Sequence, residues 1–316
     1  RRSGESATPT AAGAGGRSLR ARRWNWRGRR VYAAVMSDDP TRISPTAHYT
    51  GQVWQVSGLS TPALATTEGW LFYEALRLPN ALLAALGGPT LPAMLVARHT
   101  AIDAVLGAAI DTGAVTQVLE IAAGYSPRGW RFTRRHGARL AYVEADLPHM
   151  AERKRRFLEG VPPAERPRVV AIDALASDGP HSLHEVARSF DRSAGLAIVT
   201  EGLSNYLDSA AATAMWRRIA ALLGEFPRGL YVSDTRLARV ALDSIVTRVF
   251  LPLLGTFVRG DIHLHFATEA DARRTFTDCG FASFALHRPE TMPGLDLGTD
   301  PGVAQVQILD ARTGQW

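Results

Sequence analysis

The sequence predicts an α/β sandwich, a mostly parallel sheet of seven strands with an antiparallel end, preceded by a helical N-terminal cap. Three observations predict it. From Thr116 onward, short apolar runs alternate with helix-length amphipathic segments, the pattern of a parallel sheet whose crossovers are helices. The first run, Val118 to Ala122, stops at Gly124 and gives way to a helical pattern, as a first strand does when its carboxyl edge receives a nucleotide-like ligand. The last two runs have no helix between them, so they are expected to pair antiparallel.

In chain order, residues 37–61 are polar, with prolines and several aromatics including Tyr49 and Trp54, and are expected to form a lid. Residues 62–86 and 92–111 read as helices and complete a cap over 37–112. The expected strands are 116–122, 139–145, 167–172, 195–200, 229–234, 281–287 and 302–309, making 113–316 the ligand-binding domain. Helices are expected at 128–136, 148–159, 181–191, 209–223, 237–250 and 268–279. Asp208 or Ser209 can cap the helix whose apolar face carries Met215, Ile219, Leu222 and Leu223, because a short oxygen-bearing side chain satisfies the first free N–H groups. Thr268-Glu-Ala-Asp271 resembles a capping box, and Gly280 stands where that helix should stop.

The calculated pI of about 10.0 suggests a nucleic-acid binder, but the charge is segregated. Residues 1–36 hold nine arginines and one acid, and the other 27 basic and 29 acidic residues leave the body at −2. A basic face for phosphates is not expected there, so no nucleic-acid partner is expected of the body. The first 36 residues, rich in Ala, Gly, Ser and Arg, read as a disordered basic arm or leader. A transit peptide, an arm for nucleic acid, or sequence upstream of a start at Met36 would each have this composition. The uncharged stretch Ala81 to Ala97 is broken by Gly87-Gly88-Pro89 and Pro92, so no membrane span is expected. The single cysteine, Cys279, allows no intrachain disulfide and reads as a small buried residue near a helix end. A reducing, cytoplasmic setting is expected.

Acids recur where the strands end: Glu144-Ala-Asp146 after the second, Asp173 after the third and Glu201 after the fourth, with Glu120 inside the first. In an open α/β sheet, ligands bind beyond these carboxyl ends. One carboxylate can accept two bonds from a ribose diol, another can meet an adenine amino group, and a third an ammonium. Carboxylates repel a triphosphate, so the acids favour a nucleoside with little phosphate and a positive centre. S-adenosylmethionine meets these demands. The turn Ala122-Ala-Gly-Tyr-Ser-Pro127 lacks the G-x-G-x-x-G spacing that seats a dinucleotide pyrophosphate. The sequence also has no P-loop, no clustered metal-ligand signature and no G-x-S-x-G motif.

Four segments carry a resemblance. They are Val118-Leu-Glu-Ile-Ala-Ala-Gly-Tyr-Ser-Pro-Arg-Gly-Trp130, Tyr142-Val-Glu-Ala-Asp-Leu-Pro148 with Lys154, Ile198-Val-Thr-Glu-Gly-Leu-Ser-Asn-Tyr-Leu207, and Ala97-Arg-His-Thr-Ala-Ile-Asp103. Together they resemble the leucine carboxyl methyltransferase family of class I S-adenosylmethionine-dependent methyltransferases, in its bacterial small-molecule branch, over roughly residues 44–290. The resemblance implies a class I Rossmann-like sandwich with S-adenosylmethionine as cofactor. It implies that Gly124 passes close to the methionine portion, Asp146 holds the ribose hydroxyls and Asp173 lies at the adenine edge. Glu201 would sit near the amino group, and Arg98 would pair with the carboxylate. The first loop departs from the family in having one glycine where many methyltransferases have two or three. Arg98 and Asp103 lie about 140° apart around a helix, so Arg98 is expected to be free for a ligand.

Transfer of a methyl from a sulfonium needs an aligned acceptor stripped of water. A carboxylate acceptor needs no base, whereas a phenol or alcohol does. His48, His263 and His265 are the candidate bases. Tyr206 and His263 are expected at the acceptor, and Arg236, after the fifth strand, could anchor an acidic one. The run Val249 to Val258 suits a greasy pocket or the core. The expected activity is O-methylation of a small molecule, a carboxylate of a polyketide-like secondary metabolite. The alternatives are an NAD-dependent oxidoreductase and a catalytically silent subunit that binds a partner.

Overall fold

The computed structural model describes residues 45–238 and 263–316. The arm, the run Val249 to Val258 and most of the expected helix 237–250 lie outside the described residues. Three helices come first: α1 (Pro45–Val56), α2 (Thr67–Ala85) and α3 (Leu91–Asp111). The part of the polar N-terminal segment from Pro45 on is thus a helix. It is held because Tyr49 and Val53 bury themselves against Leu76 of α2 and Leu95 of α3. Thr66 and Thr90 cap α2 and α3, their side chains accepting from Gly69 and Ala93 N–H.

The sheet then alternates with helices as expected. β1 (Gln117–Ile121), α4 (Arg128–His136), β2 (Ala141–Asp146), α5 (Pro148–Leu158), β3 (Arg168–Ala171), α6 (Leu183–Ala187), β4 (Leu196–Thr200), α7 (Ser209–Leu223) and β5 (Arg228–Thr235) follow in turn. After them come α8 (Glu269–Cys279), β6 (Ser283–His287) and β7 (Gln307–Gly314). The spatial order is β3-β2-β1-β4-β5-β7-β6. Strands β1 to β5 are mutually parallel. β7 alone is reversed, inserted antiparallel between β5 and β6. The expected antiparallel end is therefore one strand threaded between two others. β1 is the switch point, since the chain runs outward through β2 and β3 and then returns to β4 on its other side.

The caps follow the sequence. Asp208 accepts from Ala211 N–H at 2.8 Å, and Thr268 with Asp271 forms a complete capping box on α8. Gly280 ends α8 at φ 107°, a left-handed stop that glycine adopts without strain. Cys279 is the buried last residue of α8. The last strand begins later than expected, at Gln307, because Val303–Gln305 forms a 3-10 turn.

One apolar layer packs α7 and α8 on the sheet through Met215, Trp216, Ile219 and Phe276. The other packs α3 and α4 on the opposite face through Ile102, Leu106, Phe132 and Val232. α3 is long and apolar enough by composition to cross a membrane. In this fold its apolar residues are spent on the sheet, with Ala101, Ile102, Leu106 and Ile110 buried. Five parallel strands thus present their carboxyl ends at one edge, with α1 and α3 beside them.

Candidate active site

The loop after β1 is fixed from two sides. Gly124 N–H donates to Asp146 Oδ2 at 2.7 Å. Lys154 Nζ, buried on α5, donates to Gly124 O at 3.1 Å and Ser126 O at 2.7 Å. It also pairs with Glu144 Oε2 at 3.0 Å. Both ends of the Gly124 residue are therefore clamped by the β2–α5 motif. Gly124 sits at φ 47°, and a Cβ built on it meets nothing within 4 Å. The glycine is required by backbone conformation, and space stands open above it. Ala122 shares the left-handed region at φ 56°, a conformation that costs a non-glycine residue about 1–3 kcal/mol. The opposite edge of the sheet has a cleft lined by Asp111, Arg135, His136 and Arg139, away from all of the strand-end acids.

Asp146 is buried, and its other oxygen accepts from Leu147 N–H at 2.7 Å. Burial raises its pKa, and the two backbone N–H groups and Lys154 pull it back. Burial also pushes Glu144 up to about 7, against the pull of Lys154. A side chain at Gly129, in the first turn of α4, would collide with the Glu144 carboxylate, so α4 can approach β2 only there. Asp173 lies just past β3. Its Oδ1 accepts from Leu175 N–H at 2.9 Å, closing a local turn.

Between α3, β1 and β4 lies a buried ionic network. Arg128, fully buried at the start of α4, donates to Asp103 at 2.5 Å, Glu120 at 2.5 Å and Glu201 at 2.6 Å. Arg98 pairs with Glu201 at 2.9 Å and reaches Asp234 at 3.6 Å. His99 Nδ1 donates to Glu201 Oε2 at 2.9 Å, and Arg131 closes the rim on Asp103 at 2.5 Å. Glu201 is held ionised, well below the usual carboxylate range, because His99, Arg98 and Arg128 outweigh its burial. Arg128 is held well above its ordinary value by Glu120, Asp103 and Glu201 despite its own burial. Four acids (Asp103, Glu120, Glu201, Asp234) face three arginines (Arg98, Arg128, Arg131), leaving one negative charge when His99 is neutral.

Two sequence expectations are corrected here. Arg98 is not free. It is turned onto Glu201 and Asp234, carboxylates brought to it by β4 and β5 rather than by its own helix. Glu120 does not look into the open end of the sheet. Its two oxygens are taken by Arg128 and by the Tyr142 hydroxyl at 2.8 Å. The sequence reading missed Arg128, Arg131, His99 and Asp234. Asp234 was visible as one more acid at the end of a strand. Arg128 has no pattern of its own, because an arginine opening a helix usually reads as a solvated one.

α1 lies across this edge. Its Gly51 backbone abuts Tyr125, the His48 ring lies 5.2 Å from the Tyr125 ring, and the Trp54 ring lies 4.7 Å from that of His99. His48 is buried and tied to Thr66 Oγ1 at 2.9 Å, and burial lowers its pKa. Past β4, the turn Ser204–Tyr206 gathers the remaining candidates. His263 N–H donates to Asn205 O at 2.8 Å, and His265 Nε2 donates to Ser204 O at 2.8 Å. The two rings stack 6.4 Å apart. They lie on one side, although residues 263–265 form no strand. Tyr206 lies near Arg98, and burial raises its pKa against the pull of Arg98 and Thr46.

The glycine loop clamped at the switch point, with acids at the ends of β2, β3 and β4, stands on a class I methyltransferase fold. A protein of Thermobifida fusca YX, provisionally described as a methyltransferase, shares that fold at 13% identity. The match has a TM-score of 0.55 and covers 84% of this chain and 94% of that one. Magnesium protoporphyrin IX methyltransferase of Synechocystis PCC 6803, with bound SAH, matches at 15% identity and a TM-score of 0.45, over 70% and 85% of the two chains. Human N-acetylserotonin methyltransferase in complex with SAM matches at 11% and 0.45, over 71% and 56%. No curated protein sequence matches. The leucine carboxyl methyltransferase family model matches residues 65–220.

Proposed function

We propose that the chain is an S-adenosylmethionine-dependent O-methyltransferase acting on a small molecule, with a carboxylate of a polyketide-like or other secondary metabolite as acceptor. The observation that carries this reading is the Gly124 residue, clamped between Asp146 and Lys154 beneath open space. That space is a cradle into which a side chain would project. The strand-end carboxylates Asp146, Asp173 and Glu201 have the sign that a sulfonium and an ammonium need.

Gly124 would lie against the methionine portion and Asp146 would take the ribose hydroxyls. Each Asp146 oxygen accepts one backbone bond, and a carboxylate oxygen can accept a second. Asp173 has Oδ2 to spare for the adenine edge. Glu201, held ionised, would meet the ammonium, and Arg98 would meet the carboxylate only by sharing its guanidinium with Glu201 and Asp234. Glu120 then acts at one remove, by holding Arg128 against Glu201. When bound, the cofactor supplies a methyl group already activated on sulfur. The chain's own part is to position the acceptor oxygen and exclude water. α1, lying over Tyr125 and His99, is suited to exclude it as part of a lid.

Carboxylate methylation is favoured over hydroxyl methylation by the state of the nearby groups. Tyr206 stays protonated at neutral pH, so it can donate a bond to an anionic acceptor but cannot take a proton. His265 spends its Nε2 proton on Ser204 O, and its Nδ1 is sealed from solvent. A carboxylate arrives ionised and needs neither. His263, beside Asn205, would help to place the acceptor. A cytoplasmic setting, with no nucleic-acid or membrane partner, accords with the nearly neutral body.

The test is mass spectrometry of products formed with methyl-labelled S-adenosylmethionine and a library of small carboxylic acids and phenols. Labelled methyl esters are the expected products. Ethers alone would overturn the acceptor class. Binding of S-adenosylhomocysteine without any product, together with a stable protein complex, would favour the silent subunit instead.

A further inference from the structure

Besides Arg131 at the rim, three guanidinium groups stand on the α3 side of the sheet's carboxyl edge. Arg128 meets three carboxylates and Arg98 meets two. The third, Arg236, is the first residue past β5, and among the described residues it meets none within ion-pair distance. Its one hydrogen bond runs from Nη2 to the neutral Gln305 Oε1 at 3.2 Å. Its Nε is sealed from solvent without a partner. Asp234, the nearest acid to favour its charge, is already engaged by Gly202 N–H at 2.6 Å and by Arg98.

The strand places this group. Leu230 and Val232 face the α3 layer while Tyr231 faces the other. Asp234 continues that alternation onto Arg98, and Arg236 is the next residue in the same phase. Gln305, its partner, belongs to the 3-10 turn that packs on α3. Arg236 therefore lies one step beyond the Arg98–Asp234 pair, on the β5 side of the site, away from the Gly124 loop. Even part-burying an unpaired guanidinium is costly, and desolvation accordingly lowers its pKa. A guanidinium whose Nη1 has no partner among the described residues, and whose Nη2 meets only a neutral amide, is placed to receive a carboxylate in a charge-assisted contact.

We infer that Arg236 is the acceptor-recognition residue of this site, and that it selects acceptors bearing a carboxylate. This rests on the methyltransferase reading above and specifies the substrate class within it. Recognition by charge also gives release. Transfer forms an O–C bond as the S–C bond breaks, so the carboxylate becomes a neutral ester while the sulfonium becomes a neutral thioether. The product then no longer matches the guanidinium.

The experiment uses the full chain saturated with S-adenosylhomocysteine and follows benzoate, hexanoate, phenyl phosphate and methyl benzoate by ligand-observed NMR. The parent should bind the two carboxylates in preference to the neutral ester and to phenyl phosphate. Arg236→Gln should weaken carboxylate binding by about tenfold or more, as loss of a charge-assisted pair predicts. Arg236→Lys should fall between them, and S-adenosylhomocysteine affinity should stay within about twofold, since the substitution is outside the Gly124 loop. Carboxylate binding that is absent from the parent, equal in Arg236→Gln, or weaker than that of phenyl phosphate overturns the inference. If the parent fails to bind S-adenosylhomocysteine while Arg236-dependent carboxylate binding persists, the cofactor reading fails and the recognition role stands.

Discussion

The two halves of the sheet's carboxyl edge are built differently. On the β2–β1–β4 side the buried cations Lys154, Arg98 and Arg128 are each paired with carboxylates. Asp146 and Lys154 hold the Gly124 loop, and Arg128 ties Asp103, Glu120 and Glu201 together. On the β5 side the arginine is left short of an anion, and Tyr206 and the histidine pair cluster on a 3-10 turn. A site that must receive one constant cofactor gains from being preorganised, because little reorganisation is needed on binding. A site that must admit and release an acceptor gains from an unsatisfied group that only the acceptor satisfies. The difference teaches which half the fold depends on and which half it can alter.

The largest effect should come from the network on the first side. Arg128→Ala leaves Glu120 buried without a cation and takes one cation each from Asp103 and Glu201, which should cost about 3–5 kcal/mol of stability. Denaturant unfolding checks it, and a loss near zero would mean that the network is not the scaffold of this half. Next, Asp146→Ala removes the Gly124 anchor and the expected ribose acceptor together. S-adenosylhomocysteine affinity should fall by about a hundredfold, the scale of two hydrogen bonds to a charged group; calorimetric affinity within twofold of the parent would count against that role.

A smaller effect sharpens the comparison at the loop itself. Gly124→Ala places a Cβ in the open space at φ 47°, so it should lose about 1–3 kcal/mol of stability to backbone strain and also weaken cofactor binding. A variant that lost stability but bound S-adenosylhomocysteine normally would separate conformation from contact. The smallest effect concerns Glu144. Its folded pKa of about 7 lies above the ordinary 4.5, so its contribution to stability is fully present below pH 4.5 and is lost as the pH rises towards 7. Glu144→Gln should flatten the stability–pH curve across that window. An unchanged slope would show that Lys154 holds the carboxylate ionised throughout.

Much of this was legible in one dimension, for reasons that differ by element. β1 and β4 are buried along their whole length, so they read as mostly apolar runs, with Glu120 the one charge inside β1. β7 was placed five residues early, because the true strand carries Asp310 and Arg312 while the preceding Val303 and Val306 look more strand-like. Those charges are tolerated in the sheet because they pair with each other at 2.6 Å and Asp310 lies 3.5 Å from His287. Acids at strand ends were readable because topology alone sends strand ends to one edge. The partners of Arg98 and Glu120 were not, since they come from β4, β5 and α4, distant in the chain. Ion pairs between elements leave no periodic trace, so the cofactor half's scaffold emerged only in three dimensions.

The central claim is that the clamped Gly124 loop and the acids beside it form a cofactor site for S-adenosylmethionine. Titration calorimetry of the parent with S-adenosylhomocysteine, run beside NAD, tests it most directly. Micromolar binding of S-adenosylhomocysteine, with no heat from NAD, is the predicted result. Binding of NAD, or of neither ligand, would contradict the account.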